Sequence, residues 1–359
     1  MQAPLEPGGP DSVGYYTDED ISLGHRRLAI LDLSPRSNQP MEYEHLIISY
    51  NGEVYNFQEI KRELEPQYSF ETESDTEVVL KALHKWGLEA LQKFHGMFAF
   101  ALWDKKNKKL YLVRDRLGVK PLYYYFDGKK FLFASEIKAM LRHGAMERRI
   151  EPQAAAAYFQ FGFIPKDLAI FAHSHKLLPG HYLVFEPQKK RLEVHKYWEI
   201  PKERIEISLP EALERTKELL QRSFASRMVS DVPVGVFLSG GIDSSLLVAY
   251  LSKHFKLNTF TIGFYEEKFN EAKIAKKTAE HFGTEHHELY FDIEDLLALL
   301  PKITQIFDEP FGDPSALPTF LVAQLAKEHV KVALSADGAD ELFGGYTINY
   351  KNEKRFGLY

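Results

Sequence analysis

The chain has 359 residues, no cysteine and a formal net charge of −6. That length exceeds one ordinary core and predicts two domains, and the cysteine count excludes disulfides, a thiolate zinc site and a thiol nucleophile within this sequence. The mild acidity, with Lys and Arg spread along the chain, argues against a nucleic-acid partner. No window of ~18 apolar residues suits a membrane span. The opening MQAPLEPGGPD has neither the basic start nor the apolar stretch of a secretory leader. The expected location is cytoplasmic.

Residues 1–150 read as antiparallel strands with helices grouped between them. Strands are predicted over 23–32 and 46–50, and Asn51-Gly52 reads as a hairpin turn from which Val54-Tyr55 return. Helices follow over 57–64 and 76–86, the second capped by Ser74 or Asp75. Strands over 97–103, 110–114, 122–126 and 131–134 complete an α+β layered domain. Residues 151–208 form a connecting region, with a helix up to Phe161 and a turn at Leu178-Pro179-Gly180 before a strand over 181–185. From 209 to 359 the pattern alternates. Helices over 210–228, 244–254, 271–282 and 318–328 interleave with strands over 234–238, 259–264, 288–291 and 331–334. Such alternation predicts an α/β domain whose parallel sheet is covered by helices on both faces. Ligands of such sheets sit at the carboxyl ends of the strands.

The segment from Val234 to Ser245 carries the clearest chemistry. An apolar strand runs through Leu238 into Ser239-Gly240-Gly241, then Ile242-Asp243-Ser244-Ser245 open a helix. Glycines allow a sharp turn and close approach of a ligand. Free N–H groups and the dipole at the helix start favour an anion. Without Gly-Lys-Ser/Thr it is not a Walker loop, and the dinucleotide fingerprint is absent. An acid in an anion pocket, Asp243, makes sense if a divalent cation joins it to phosphate, as Mg²⁺ does with one or two carboxylates. The loop resembles the S-G-G-x-D-S pyrophosphate loop of the ATP pyrophosphatase superfamily, whose members cleave ATP between the α and β phosphates and adenylate a substrate. A plain serine-capped turn is the competing reading.

A second acidic run, Leu334-Ser335-Ala336-Asp337-Gly338-Ala339-Asp340-Glu341, stands at another predicted strand end and continues through Gly344-Gly345-Tyr346. Carboxylates this close repel unless metal or solvent screens them. His286-His287 read as a strand entry, and 123–125 as a hairpin with one face in the core. Asp308-Glu309-Pro310, with Asp313 and Ser315, is a weaker candidate for an acidic-substrate site.

Together, Asp231-Val232-Pro233-Val234-Gly235 with LSGGIDSS, and LSADGADELFGGY, resemble the glutamine-hydrolysing asparagine synthetases. The first domain agrees through GHRRLAILDLS, Gln39-Pro40-Met41, NGEVYN, Ser74-Asp75-Thr76-Glu77, GMFAFALWD, RDRLGVKPLYY and ASEIKA. The resemblance implies an N-terminal nucleophile-type glutaminase domain followed by an ATP pyrophosphatase-like, adenine nucleotide alpha hydrolase-like domain. It implies a ligase that activates aspartate with Mg-ATP to β-aspartyl-AMP and pyrophosphate, then amidates it with ammonia from glutamine. By the resemblance, Leu238, Ser239, Gly240, Gly241, Asp243, Ser244 and Ser245 hold ATP phosphates, and Ile262, Ser335 and Ala336 meet the nucleotide. Asp243 and Asp340 flank Mg²⁺, and Asp337 takes a catalytic part in forming the acyl adenylate. In the glutaminase domain Arg27, Asn51, Gly52, Glu53 and Asp75 bind glutamine, with Asn51 and Gly52 as oxyanion donors. A homodimer is among the assemblies left open.

The sequence also departs from that family. The family's glutaminase attacks with an amino-terminal cysteine, and this chain has none. Pro7 and Gly8 stand where the family has His and Arg, so the first strand and nucleophile are expected to be missing. The carboxyl end is short of the family's closing helices and their lysine. The expectation is therefore ammonia-dependent synthesis at best. Two alternatives stand beside it: a β-lactam synthetase-like or cell-surface amidotransferase acting on another carboxylate, and a catalytically inactive nucleotide-binding remnant.

Overall fold

The computed structural model describes residues 1–266 and 270–345. Tyr346, the last residue of the second acidic motif, lies outside the described residues. The chain forms two compact units, Met1–Glu206 with Thr304–Asp313, and Ile207–Ile303 with Pro314–Tyr359.

The first unit holds, in chain order, β1 (Ser12–Thr17), β2 (Ser22–Arg27), β3 (Met41–Tyr43), β4 (Leu46–Val54), β5 (Gly96–Asp104), β6 (Lys109–Arg114), β7 (Tyr123–Phe126), β8 (Phe131–Ala134), β9 (Ser174–Lys176), β10 (His181–Glu186) and β11 (Arg191–Lys196). Its helices are α1 (Phe57–Leu64), α2 (Asp75–Trp86), α3 (Ile137–Leu141) and α4 (Pro152–Phe161). A six-stranded antiparallel sheet runs β11-β10-β6-β5-β4-β3, beside a three-stranded sheet β8-β7-β9 and the pair β1-β2.

Alternation along the central strands sets the layers. Leu46, Ile48 and Tyr50 of β4, with Phe98, Phe100 and Leu102 of β5, pack against Phe57, Ile60 and Leu64 of α1 and Val79 and Leu83 of α2. Ile47 and Trp103 face the other way, onto Leu23, Leu122, Tyr124 and Leu183. Helices thus cover one face of the large sheet and the smaller sheets cover the other. Ser74 caps α2, its hydroxyl accepting the Thr76 N–H at 3.2 Å.

Two expectations need correction here. Asn51-Gly52 is not a hairpin turn: both residues lie inside β4, opposite Ala99 and Phe98 of β5. Gly52 has φ 146°, and a Cβ there would stand 2.1 Å from the Met97 carbonyl oxygen. Glycine here serves close strand contact rather than reversal. The strand predicted over 23–32 ends at Arg27. Beyond it the Arg27 guanidinium gathers the carbonyls of Leu31, Asp32 and Ser34, which folds the chain back.

Thr304–Asp313 packs as part of the first unit, although second-unit sequence flanks it on both sides. Glu309 accepts the Ile170 N–H at 2.8 Å and pairs with Lys176 at 2.7 Å. Asp308 accepts the Lys138 N–H at 3.2 Å, and the Gly312 N–H donates to the Gly162 carbonyl at 2.7 Å.

The second unit contains β12 (Val234–Phe237), β13 (Asn258–Phe264), β14 (Glu285–Phe291) and β15 (Val332–Leu334), all parallel, in the order β14-β13-β12-β15. Its sequence supplies α5 (Leu209–Ser226), α6 (Ile242–Leu251), α7 (Ala272–Phe282), α8 (Ile293–Ile306), α9 (Ala316–Lys327) and α10 (Ala339–Phe343). Val236 and Leu238 pack with Leu247, Val248 and Leu251 of α6 and Ala275 and Ala279 of α7. Phe260 packs on the opposite face with Ala326 of α9 and Val330. Strand order reverses between β12 and β15, and a crevice outside the carboxyl ends of such a pair is where ligands of open α/β sheets bind.

Candidate functional sites

In the first unit, the polar residues predicted to bind glutamine gather around β4. Asp75 is buried, and its Oδ2 accepts the Tyr50 hydroxyl at 2.8 Å and the Val54 N–H at 3.0 Å. The carboxylate therefore lies against the strand that carries Asn51, Gly52 and Glu53. Burial, only partly offset by these hydrogen bonds, raises its pKa to about 6. Glu53 rises to about 7, chiefly by burial and then by the Asp75 charge, while Lys120 pulls the other way. Its Oε1 is buried without a hydrogen-bond partner among the described residues. Burial in turn holds the Lys120 ammonium below its ordinary range. A buried cluster that strains two carboxyls towards neutrality suits a neighbouring cation.

Arg27 sits within electrostatic reach of Asp75, but its Nη atoms already donate to Ser34 O, Asn38 Oδ1, Leu31 O and Asp32 O at 2.5–3.1 Å. Its first task is to hold the 31–38 loop. The Asn51 amide donates to Ser135 Oγ at 3.5 Å. His25 contacts Ser49 Oγ at 3.2 Å, and burial lowers its pKa to about 4, so it is neutral near pH 7. Sequence reading missed Tyr50, Lys120 and His25 as members of this cluster. Lys120 sits in RDRLGVKPLYY, where Asp115 accepts the N–H groups of Leu117, Val119 and Lys120 and so shapes the turn that presents it.

In the second unit, Leu238–Gly241 leave β12 at its carboxyl end. The Leu238 N–H still donates to Phe260 O at 2.9 Å, and Thr261 Oγ1 donates to Leu238 O, which fixes where the sheet stops. Ser244, buried at the start of α6, accepts the Ser239 N–H at 3.1 Å and meets Ser239 Oγ at 2.9 Å. The Gly241 N–H donates to Ser239 Oγ at 3.1 Å, and Ser245 Oγ donates to Gly241 O at 2.8 Å. These serines therefore brace the turn as well as offering hydroxyls. Asp243, one residue into α6, is exposed.

Register brings the second acidic run beside this loop. Val236 pairs with Leu334, so Ser335 and Ala336 leave β15 next to the residues that leave β12. Ser335 Oγ donates to Asp337 Oδ2 at 2.8 Å. Asp340 lies in α10, and a Cβ at position 345 would stand 1.8 Å from its Oδ1, so Gly345 leaves the carboxylate room. Ile262 lies in β13, two positions beyond the Phe260 that pairs with Phe237. Among the described residues no group of three or more His, Asp or Glu side chains forms a ready metal cage. The exposed donors here are hard carboxylate oxygens, the type that suits Mg²⁺ completed by substrate phosphates.

Residues 1–198 match the glutamine amidotransferase domain family, and residues 215–358 match the asparagine synthase family. A putative glutamine-hydrolysing asparagine synthetase of Methanocaldococcus jannaschii is 41% identical over 373 aligned residues, covering 96% of this chain and 72% of that protein. The chain belongs to the glutamine-hydrolysing asparagine synthetase family. That is a family of ligases. Its asparagine synthetase 1 of Bacillus subtilis is 40% identical over 95% of this chain, and the chain spans 54% of that relative's length. A solved glutamine phosphoribosylpyrophosphate amidotransferase from Bacillus subtilis aligns with TM-score 0.35 and 17% identity, over 74% of this chain and 51% of its own. By the family matches, residues 1–198 are a glutamine amidotransferase domain, and residues 215–358 an asparagine synthase domain, which carries the parallel sheet. No helix among the described residues is long and apolar enough to cross a membrane.

Proposed function

We propose that the chain uses ATP to activate the side-chain carboxylate of aspartate and amidates it to asparagine, releasing AMP and pyrophosphate. The observation that carries this reading is topological. The Ser-Gly-Gly loop and the Ser-Ala-Asp run leave adjacent parallel strands, β12 and β15, at the point where strand order reverses.

In this reading the N–H groups of Ser239 to Gly241 and the start of α6 hold phosphate oxygens, with Leu238, Ser244 and Ser245 shaping the loop. Ile262, Ser335 and Ala336 contact the nucleotide through their backbone. Asp243 and Asp340 would hold Mg²⁺, which when bound screens the phosphates and draws charge from the pyrophosphate leaving group. Asp337, oriented by Ser335, helps to place the aspartate carboxylate for attack on the α phosphorus. The resulting β-aspartyl-AMP is then opened by ammonia, with AMP as leaving group.

In the first unit, the glutamine α-amino group pairs with Asp75, whose raised pKa a cation would bring down. Asn51 and Gly52 face the side-chain amide, with Glu53 beside them, and Arg27 supplies positive potential for the α-carboxylate. The chain has no cysteine, so free ammonia is the nitrogen donor in this reading.

The test is asparagine formation from aspartate and Mg-ATP, with ammonium chloride and glutamine compared as donors. Product with ammonium and none with glutamine is expected. Pyrophosphate release that needs another carboxylic acid and ignores aspartate would overturn the substrate assignment.

A further inference from the structure

The Gly240 N–H, a central donor of the proposed phosphate loop, is already engaged in this structure. It donates to Glu271 Oε2 at 3.1 Å. Glu271 immediately precedes α7 and is solvent-exposed, so its side chain can swing clear of the loop. Its backbone cannot: a Cβ at position 240 would stand 3.1 Å from Glu271 Cβ and 3.5 Å from its carbonyl oxygen. The N–H groups of Ile274 and Ala275 donate to that same carbonyl, which fixes residue 271 to the first turn of α7. The sheet and α7 therefore hold a carboxylate directly over an anion-binding amide.

We propose that Glu271 is a positioning residue of the nucleotide site, an internal anion that occupies the Gly240 N–H in the absence of ligand and yields it to a phosphate group of ATP. The inference rests on reading Leu238–Ser245 as the phosphate loop. One N–H cannot serve two anions at full strength, and a carboxylate left beside the incoming phosphates repels them. Glu271 thus orients the Gly240 amide for an anion while setting a threshold that a ligand clears through its other contacts with the loop, since the repulsion itself grows with ligand charge. It also favours release of pyrophosphate, because the carboxylate recovers its donor as the product leaves.

Glu271→Gln tests this without removing the hydrogen bond, since the amide oxygen accepts the same N–H. One unit charge about 4 Å from a phosphate in aqueous surroundings changes affinity by about fivefold. Titration calorimetry of the full chain with inorganic pyrophosphate and with ATP, both with Mg²⁺, is expected to give a Kd about fivefold lower in E271Q than in wild type. Adenosine is expected to bind the two proteins equally, a contrast that a purely structural role would not produce. Glu271→Ala, which removes charge and competing bond together, is expected to tighten pyrophosphate at least as much. Unchanged or weaker pyrophosphate binding in E271Q, with ATP still bound by wild type, would overturn the role of Glu271 and leave the phosphate loop standing. Absence of ATP and pyrophosphate binding in wild type would overturn both.

Discussion

Around Asp75 the first unit closes its polar groups in. Tyr50, Val54 and Thr76 hydrogen-bond or cap beneath the sheet, and the carboxyl pays for burial with a pKa near 6. Around Asp243 the second unit does the reverse, leaving carboxylates and backbone amides on an exposed rim where strands end. The difference follows from architecture. An antiparallel layer with covers on both faces encloses polar groups between its strands and covers, so they are held by fixed partners. A parallel sheet exposes the carboxyl ends of its strands, and the loops that leave them carry charged side chains at the surface.

That contrast breaks if burial in the first unit proves unimportant. Gly52→Ala forces a Cβ against the Met97 carbonyl at a φ that side chains avoid. It is expected to destabilise the first unit by about 4 kcal/mol in urea unfolding. Asp340→Asn on the rim should do the opposite. Mg-dependent pyrophosphate release is expected to fall at least about a hundredfold while the melting temperature stays nearly constant, because Asn is isosteric with this half-buried Asp and keeps its packing. Glu309→Ala sharpens the comparison from the 304–313 segment. It removes the ion-pair partner of Lys176, which keeps the Ile164 carbonyl, and the acceptor of the Ile170 N–H, and thermal unfolding is expected to register a loss of about 2–3 kcal/mol.

The pH dependence gives the smallest effect, with a definite sign. Asp75 is raised from 3.8 to about 6 in the folded chain, so the folded state binds its proton more tightly. Its contribution to stability is full below pH 3.8 and is lost as pH rises through about 6. Asp75→Asn, whose amide oxygen accepts the same two donors, is expected to remove about 1.4 kcal/mol of that decline, read as the stability difference between pH 5 and pH 8. His25 works in the other direction, losing stability as pH falls from 6.5 towards 4. It is present in both proteins and cancels from the comparison.

The long apolar strands and helices α1 and α2 were legible in sequence because their side chains alternate or recur on one face. The cap at Ser74 was equally readable. Short strands such as Met41–Tyr43, Ser174–Lys176 and Arg191–Lys196 carried no pattern, since three residues fix no period and Arg191–Lys196 is largely exposed. Asn51-Gly52 misled for a physical reason. The same glycine tolerance that builds a turn also permits a close strand crossing, and only the β5 register distinguishes them. Around the candidate sites, residues on contiguous motifs could be named from sequence, whereas Tyr50, Lys120 and Glu271 could not. Their neighbours lie 25, 67 and 31 positions away in sequence, at Asp75, Glu53 and Gly240, and no local signal reports such pairings.

Phosphorus-31 NMR of the full chain with Mg-ATP, aspartate and ammonium tests the central claim most directly. The account predicts that AMP and pyrophosphate accumulate in equal amounts, only when aspartate is present, and that Asp243→Asn suppresses both. ADP and inorganic phosphate as the nucleotide products would contradict it.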